Sequence, residues 1–328
     1  MSKPKLFITR PVIDSTMARL SAQCEVSFWH EDSRPLQDEM ERAIADAEAC
    51  MGFAPWPAAL MDKAPKLRII ANTAVGFDNV DVPAATQRGI VVTNTPNVLT
   101  DTTADLAFTL MLTVSRRICE ADRFVRGGKW TMQGGPATFL GSDVNHATLG
   151  IIGLGRIGAE VAHRATGFHM TVLYYDPIRR EELEKQFGYQ YVDMDTLLAQ
   201  SDFVSVHMPL MPQTKGLIGA AQFAKMKPTA FLINAARGPV VDEKALIAAL
   251  KEKRIAGAGL DVFEQEPTPT DNPLLKMDNV VVAPHIGSAT VATRQAMVDL
   301  AADNVLAVLA GKAPLTPVNP EVLSRLKK

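Results

Sequence analysis

Short apolar runs alternate with segments of helical spacing along most of the chain. In the first part of the sequence, the apolar runs that we predict as strands are Lys5–Thr9, Glu25–Phe28, Ala49–Phe53, Arg68–Asn72 and Ile90–Thr93. The segments that we predict as helices between them are Ser15–Ser21, Leu36–Ala45, Ala58–Lys63 and Pro83–Arg88. This alternation of strand and helix predicts a parallel sheet with helices on both faces.

A long segment of helical spacing follows, from Thr100 to Arg126, and we predict a single helix there. Its body, Leu106 to Val114, is apolar nearly all round, which indicates a buried helix. The next segment, Trp130 to Asn145, contains Gly134, Gly135, Pro136 and Gly141 and has few periodic cues. We interpret it as an irregular arm that contacts a second subunit; a solvated loop is the alternative.

The strongest pattern in the chain lies between Leu149 and Asp176. A strand-like run, Leu149–Ile152, precedes Gly153, Gly155 and Gly158, which have the spacing G-x-G-x-x-G. A helix is predicted over Arg156–Thr166, and a second apolar run, Met170–Tyr175, ends at Asp176. In this arrangement the glycines permit a tight turn, close approach of a pyrophosphate and close helix–strand packing. The pattern predicts a dinucleotide site with phosphates at the helix N-terminus; an ordinary glycine-rich turn is the alternative.

Asp176 bears on the choice of dinucleotide. Its carboxylate can accept hydrogen bonds from ribose hydroxyls, whereas a 2′-phosphate at contact distance would be repelled by up to about 4 kcal/mol at an effective dielectric near 20. The expected cofactor is therefore NAD, used as NADH. Arg179 and Arg180 follow closely and leave room for some tolerance of NADP.

Polar side chains follow three apolar runs in the last part of the chain. The predicted strands there are Phe203–His207, Ala230–Asn234, Gly257–Asp261 and Val280–Ala283, and the predicted helices are Thr196–Gln200, Gln222–Met226, Asp242–Lys251 and Ala289–Ala310. Arg237 follows the second strand, Glu266 the third and His285 the fourth. Ligands bind at the carboxyl ends of strands in open α/β sheets.

These three residue types suit the reduction of a 2-oxo acid. An arginine holds a carboxylate through two parallel hydrogen bonds. A histidine can donate a proton near neutral pH, and a carboxylate beside it orients the ring. Each residue also has an ordinary structural explanation: a strand-end histidine, a loop acid before Pro267 or a helix-entry arginine. Spacing alone leaves the choice open.

The turn Val75–Asp81, V-G-F-D-N-V-D, follows the fourth predicted strand. Gly76 can free backbone N–H groups to face an anion such as a substrate carboxylate. The alternative is a plain loop in which Asp78 or Asn79 caps the next helix.

Composition narrows the class of protein. The chain has 328 residues, enough for two domains, and its 34 Lys and Arg against 36 Asp and Glu give a formal charge of −2. That balance argues against nucleic acid or a membrane surface as partner. Three scattered cysteines, Cys24, Cys50 and Cys119, fit neither a disulfide framework nor a metal site. We find no signal peptide or membrane span and expect a cytoplasmic location.

Five motifs in order, over nearly all of the chain, carry a family resemblance. They are V-G-F-D-N-V-D, G-L-G-R-I-G, N-A-A-R-G-P-V-V-D, G-L-D-V-F-E-Q-E-P and P-H-I-G-S-A-T. With them the chain resembles the D-isomer-specific 2-hydroxyacid dehydrogenases. The resemblance implies that Arg237 binds and polarises the substrate, that His285 donates the proton and that Glu266 is its partner. It also implies that the N–H groups of Val75 and Gly76 hold the substrate carboxylate.

The resemblance also implies an architecture. Residues 1–98 and 289–328 would form a flavodoxin-like substrate domain, and residues 99–288 an NAD-binding Rossmann domain, both doubly wound α/β units with a cleft between them. A homodimer is implied as well. The full set expected at the substrate is Phe53, Val75, Gly76, Arg237 and Ser288. The set expected at the cofactor is Thr103, Gly153, Leu154, Gly155, Arg156, Ile157, Gly158, Asp176, Pro209, Ala235, Ala236, Asp261, His285 and Gly287.

Within this family the chain is most similar to glyoxylate/hydroxypyruvate reductases and 2-ketogluconate reductases. Several of these carry a serine-arginine pair, and use NADP, where this chain has Asp176 and Pro177, which again favours NAD. Many carry a tryptophan near Thr138 and Phe139, where only Phe139 is aromatic here. The expected activity is hydride transfer from NADH to glyoxylate, hydroxypyruvate or 2-ketogluconate. The alternatives are a phosphonate dehydrogenase and a non-catalytic NAD-sensing co-repressor, which resemble the same family.

Overall fold

The structure is a computed structural model that describes residues 2–10, 12–29, 37–131 and 139–325. The chain divides into two compact units. Unit 1 comprises Met1–Leu99 and Ala289–Lys328, and unit 2 comprises Thr100–Ser288. The first boundary of this division lies one residue after the predicted one, and the second coincides with it.

Unit 1 contains a parallel sheet with the strand order β2-β1-β3-β4-β5. Its strands are β1 (Lys5–Ile8), β2 (Glu25–Phe28), β3 (Ala49–Gly52), β4 (Ile69–Asn72) and β5 (Val91–Thr93). The connecting helices are α1 (Asp14–Gln23), α2 (Gln37–Ile44), α3 (Ala58–Met61) and α4 (Val82–Gln87). This strand order is the flavodoxin-like one, as predicted.

Both faces of this sheet are covered because successive residues of a strand point to opposite sides. In β1, Phe7 packs into one core with Met40 and Ile44 of α2. Leu6 and Ile8 pack into the other core with Ala301 and Val305 of the last helix, Val291–Leu309. The last helix therefore covers this face of the sheet of unit 1.

Unit 2 contains a larger parallel sheet with the strand order β12-β11-β10-β9-β6-β7-β8. Its strands are β6 (Thr148–Ile152), β7 (Thr171–Tyr175), β8 (Gln190–Tyr191), β9 (Phe203–Val206), β10 (Phe231–Asn234), β11 (Gly257–Leu260) and β12 (Val280–Val282). Its helices are α5 (Thr100–Ser115), α6 (Ile118–Arg126), α7 (Arg156–Thr166), α8 (Glu181–Phe187), α9 (Met194–Gln200), α10 (Ala220–Phe223) and α11 (Glu243–Lys251). Two parallel-sheet α/β units were predicted, and this architecture is confirmed.

The prediction of one helix over Thr100–Arg126 is wrong. The chain forms α5 and α6, and Arg117 between them adopts a left-handed conformation with φ 55°. Ser142 N donates to the carbonyl of Ser115 at 2.9 Å, and Gly141 packs so closely on that carbonyl that a Cβ would collide with it. The end of α5 is therefore covered by a distant segment, which a local pattern does not reveal.

Among the α-helices and strands of the described residues, α8 and β8 were not predicted from the sequence. The helix α8, E-E-L-E-K-Q-F, buries none of its residues, and β8 is only two residues long. Neither carries the apolar periodicity on which the predictions rested. Of the predicted arm, Gly134, Gly135, Pro136 and Thr138 lie outside the described residues.

Within the described ranges, no helix is both long and apolar enough to cross a membrane. The same part of the chain contains no group of three or more histidine, cysteine, aspartate or glutamate residues arranged to hold a metal ion.

Candidate active site

The structure explains in a different way why each position of the G-x-G-x-x-G segment is a glycine. Gly153 has φ 98°, and a Cβ there would stand 2.9 Å from Met208 Sδ. A Cβ on Gly158 would collide with the carbonyl of Gly153, so α7 packs against β6 only without one. A Cβ on Gly155 would meet no protein atom within 4 Å. The backbone at Gly155 thus faces open space, as a cradle for a pyrophosphate requires.

The start of α7 supplies the groups that a dinucleotide needs. Gly155 is its N-cap, and the N–H groups of the first turn, which begins with Arg156 and Ile157, have no acceptor within the helix. Arg156 is exposed. Asp176 follows β7, and its Oδ2 accepts a hydrogen bond from Leu154 N at 2.8 Å while its Oδ1 accepts one from Ile178 N at 2.8 Å. The carboxylate is thereby held beside the glycine turn, and these residues fit a nicotinamide dinucleotide.

The strand order places this turn where ligands bind in doubly wound sheets. β6 pairs with both β7 and β9, so the connections leave it toward opposite sides of the sheet. The turn after β9 lies against the glycine turn, because a Cβ on Gly153 would stand 3.0 Å from the carbonyl carbon of His207. Pro209 belongs to this turn and is exposed.

His207 was not predicted from the sequence. Burial lowers its pKa to about 4, so the ring is neutral at pH 7. Its Nε2 lies 2.8 Å from Ser205 Oγ. The signal in the sequence was a histidine at the end of the predicted strand Phe203–His207.

Arg237, Glu266 and His285, which we name the strand-end trio, follow β10, β11 and β12, three neighbouring strands. Because parallel strands end at the same edge, the three loops meet there. Asn234, 2% exposed, holds the turn after β10: its Oδ1 accepts from Ala236 N at 3.1 Å and its Nδ2 donates to Arg237 O at 3.0 Å.

The turn of Arg237 packs on the loop that carries Glu266. A Cβ on Gly238 would collide with the carbonyl of Phe263, so only glycine permits this approach. Ala235, which is buried, and Ala236 complete the turn. The positive charge of Arg237 is one of the effects that lower the pKa of the Glu266 carboxyl.

Glu266 and His285 are in direct contact. His285 Nδ1 lies 2.6 Å from Glu266 Oε2, and Phe263 N donates to Glu266 Oε1 at 3.1 Å. Burial alone would raise the pKa of Glu266, but the hydrogen bond from His285 and the charges of His285 and Arg237 outweigh it and lower the pKa. The carboxylate is therefore ionised at neutral pH and holds the ring through Nδ1, leaving Nε2 as the other ring nitrogen.

Asp261 shapes the turn that presents His285. His285 N donates to Asp261 O at 2.9 Å, Ile286 N to Oδ1 at 2.7 Å and Gly287 N to Oδ2 at 2.8 Å. His285 itself has φ 55°, a conformation that costs a residue with a side chain about 1 to 3 kcal/mol. Asp261 is 1% exposed and burial raises its pKa. Its hydrogen bonds stabilise the strained turn.

Gly287 connects this turn to α5. A Cβ there would stand 3.2 Å from both Asp261 Oδ2 and Thr103 Cγ2, which brings Thr103, Asp261 and Gly287 together within unit 2. Ser288 is half-buried at the end of the same unit.

The turn at Val75 and Gly76 in unit 1 exposes backbone donors. Asn72 Nδ2 donates to Gly76 O at 2.7 Å, and Asn94 Nδ2 donates to Val75 O at 2.8 Å. Both carbonyls are thus held, whereas the N–H groups of Val75 and Gly76 have no acceptor among the residues that the structure describes. Two adjacent backbone donors are thus available to an anion, and we name residues 75 and 76 the nest.

Two details of unit 1 differ from the sequence interpretation. The cap of α4 is Asp81, whose Oδ1 accepts from Ala84 N at 3.0 Å, so the alternative of a cap at Asp78 or Asn79 is wrong. Asn79 instead donates to Asn72 Oδ1 at 3.1 Å and so supports the nest. Phe53 follows β3, and its N donates to Thr9 Oγ1 at 3.1 Å.

Comparison with known proteins agrees with this geometry. Residues 108–287 match the profile of the D-isomer specific 2-hydroxyacid dehydrogenase, NAD binding domain. A protein named glyoxylate reductase from Korarchaeum cryptofilum is 50% identical over 323 residues, covering 98% of this chain and 97% of the relative.

Two solved structures are similar over almost the full length. The glyoxylate reductase from Paecilomyes thermophila has a TM-score of 0.86 and 32% identity, covering 98% of this chain and 100% of that one. The NADPH-dependent glyoxylate/hydroxypyruvate reductase from Sinorhizobium meliloti, in complex with NADP and malonate, has a TM-score of 0.86 and 36% identity, covering 97% of each chain. Taken with the glycine turn and the trio of loops, these matches show that the chain is an enzyme of the D-isomer specific 2-hydroxyacid dehydrogenase family.

Proposed function

We propose that the protein reduces small 2-oxo acids, glyoxylate and hydroxypyruvate above all, with NADH as the hydride source. The observation that carries the proposal is the 2.6 Å contact between His285 Nδ1 and Glu266 Oε2, beside the turn of Arg237. His285 is the proton donor, Glu266 is its ionised partner and Arg237 is the cation, and all three follow strands that end at the same sheet edge. Relatives named glyoxylate reductase support the choice of substrate.

The proton comes from His285. Glu266 accepts a hydrogen bond from Nδ1–H and stabilises the imidazolium. Nε2 is therefore the atom that gives its proton to the carbonyl oxygen of the substrate. The nicotinamide, when bound, supplies the hydride to the carbonyl carbon. After the reaction the ring is neutral, and Glu266 still holds it in the same orientation.

Arg237 and the nest bind the substrate in this proposal. The Arg237 guanidinium polarises the carbonyl and attracts the negative charge that develops on its oxygen. The unpaired N–H groups of Val75 and Gly76 hold the carboxylate, and Phe53 and Ser288 complete the substrate residues. Thr103, Pro209, Ala235, Ala236, Asp261 and Gly287 serve the nicotinamide half of the cofactor.

NAD is proposed as the preferred dinucleotide because Asp176 lies beside the glycine turn. A 2′-phosphate there would face the carboxylate, which Leu154 N holds in place. The Sinorhizobium meliloti relative is described as NADPH-dependent, so the two cofactors have to be compared directly in this protein.

We also propose a homodimer. Helix α6 buries none of its residues, although Ile118 and Val125 are apolar, and Leu140 nearby is 78% exposed. Exposed apolar side chains of this kind are typical of an interface. Analytical ultracentrifugation should give the mass of two chains, and Ile118→Glu should shift it toward that of one.

The decisive experiment measures NADH oxidation with glyoxylate, hydroxypyruvate, 2-ketogluconate, pyruvate and phenylpyruvate. Turnover should be highest with glyoxylate or hydroxypyruvate, and NADH should support it better than NADPH. Phosphite with NAD is run in the opposite direction. Activity with phosphite alone, or tight NADH binding without turnover of any oxo acid, would contradict the proposal.

A further inference from the structure

The loop between Asp176 and α8 holds a cation that would suit a 2′-phosphate, but this cation is already bound. Arg179 Nε donates to Glu184 Oε1 at 2.9 Å, and its Nη2 donates to Glu184 Oε2 at 2.8 Å. This two-pronged pairing is the geometry in which a guanidinium binds a carboxylate most specifically.

Glu184 is itself held from the interior of unit 2. The buried Tyr174 donates its hydroxyl hydrogen to Glu184 Oε1 at 2.6 Å. The hydrogen bond from Arg179, followed by the one from Tyr174, lowers the pKa of Glu184 to about 2. The carboxylate is therefore ionised at every pH at which the enzyme would be assayed.

The backbone of the loop is fixed by the same tyrosine. Arg180 N donates to Tyr174 Oη at 2.8 Å, and Asp176 Oδ1 accepts from Ile178 N at 2.8 Å. The guanidinium of Arg179 also lies over the ring of Tyr191 at 5.6 Å. Arg179 thus already has an ion-pair partner and an aromatic contact within unit 2.

We propose that Glu184 is a specificity-determining residue, which disfavours NADP by keeping Arg179 from the 2′-phosphate. The inference rests on the proposed use of a nicotinamide dinucleotide with its ribose at Asp176. Two effects then act together: Asp176 repels the phosphate, and Glu184 engages an arginine of the same loop that would attract it. A 2′-phosphate has to compete with a carboxylate that is already in place.

The test measures direct binding of NADH and of NADPH in the absence of an oxo acid. Binding is detected through the fluorescence of the reduced nucleotide. Glu184→Gln keeps the shape of the side chain but removes its charge, so Arg179 is released. The affinity for NADPH relative to NADH should rise about fivefold, the effect expected of one charge-assisted contact at a partly exposed site. Glu182→Gln, on the same helix and exposed, removes the same charge and should change the ratio less than half as much.

Two further variants identify the cation. Arg179→Ala in the Glu184→Gln background should abolish the gain, and Arg179→Ala alone should leave the ratio nearly unchanged. An unchanged ratio in a folded Glu184→Gln protein would overturn the inference. So would a marked loss of NADPH affinity in Arg179→Ala alone, which would mean that Arg179 already reaches the phosphate. Failure of the unsubstituted protein to bind either nucleotide would instead refute the proposed function.

Discussion

The glycine turn (153–158) and the strand-end trio lie at the same edge of one sheet, but they are built differently. The turn occupies six consecutive residues and offers backbone groups to a ligand. Its geometry depends on the lack of side chains at its glycines. The trio offers side chains from three loops, each positioned by other residues such as Asn234 and Asp261. A site made of backbone is damaged by adding atoms, whereas a site made of side chains is damaged by removing them.

The largest effect is expected from His285→Ala. Removing a general acid lowers turnover by about 10² to 10⁴-fold, while NADH affinity should change by less than about twofold. Steady-state kinetics and nucleotide titration separate the two quantities. His163→Ala, an exposed histidine on α7, serves as the control and should retain full turnover. If NADH binding collapsed in His285→Ala, the residue would be a structural part of its turn.

The glycine turn should respond in two different ways. Gly155→Ala meets no protein atom, so the melting temperature should be unchanged while NADH affinity falls about tenfold, because the methyl group occupies the approach of the pyrophosphate. Gly158→Ala collides with the Gly153 carbonyl and should cost about 1 to 3 kcal/mol of unfolding free energy. Thermal melts with and without NADH distinguish them, and equal loss of stability in both variants would contradict this account.

The nest in unit 1 combines both types of construction, because side chains hold its backbone. Asn72→Ala releases the Gly76 carbonyl and should raise the KM for glyoxylate about tenfold, with turnover reduced less than about threefold. Asn319→Ala is the matched control. It removes another buried asparagine of unit 1 and should lower stability without changing KM. Equal KM values in the two variants would exclude the turn from substrate binding.

The smallest effect concerns pH. Because the pKa of Glu266 is lowered below its ordinary value of 4.5, its stabilising contribution is present at neutral pH and is lost only as the pH falls through that lowered pKa. Glu266→Gln removes this titration, so the decline in reduction on the acid side of neutrality should be shifted or lost. A pH profile of kcat/KM measures this, and an unmoved acid limb would separate Glu266 from the reaction.

The sequence alone determined those features that depend on neighbours in the chain. Apolar runs bounded by turns located most strands of both units, and the spacing of Gly153, Gly155 and Gly158 identified the glycine turn because its constraints act within six residues. The predicted strands also showed that Arg237, Glu266 and His285 each follow a strand. Their proposed roles came from the resemblance to a family.

Only the tertiary structure decided what depends on distant contacts. The break between α5 and α6 arises where residues 141 and 142 cover the carbonyl of Ser115, and no local pattern records this. The same holds for the Asn72 and Asn94 amides behind the nest and for the pairing of Arg179 with Glu184. Hydrophobic spacing reports which face of an element is buried. A hydrogen bond depends on atomic distances and angles, which exist only once the chain has folded.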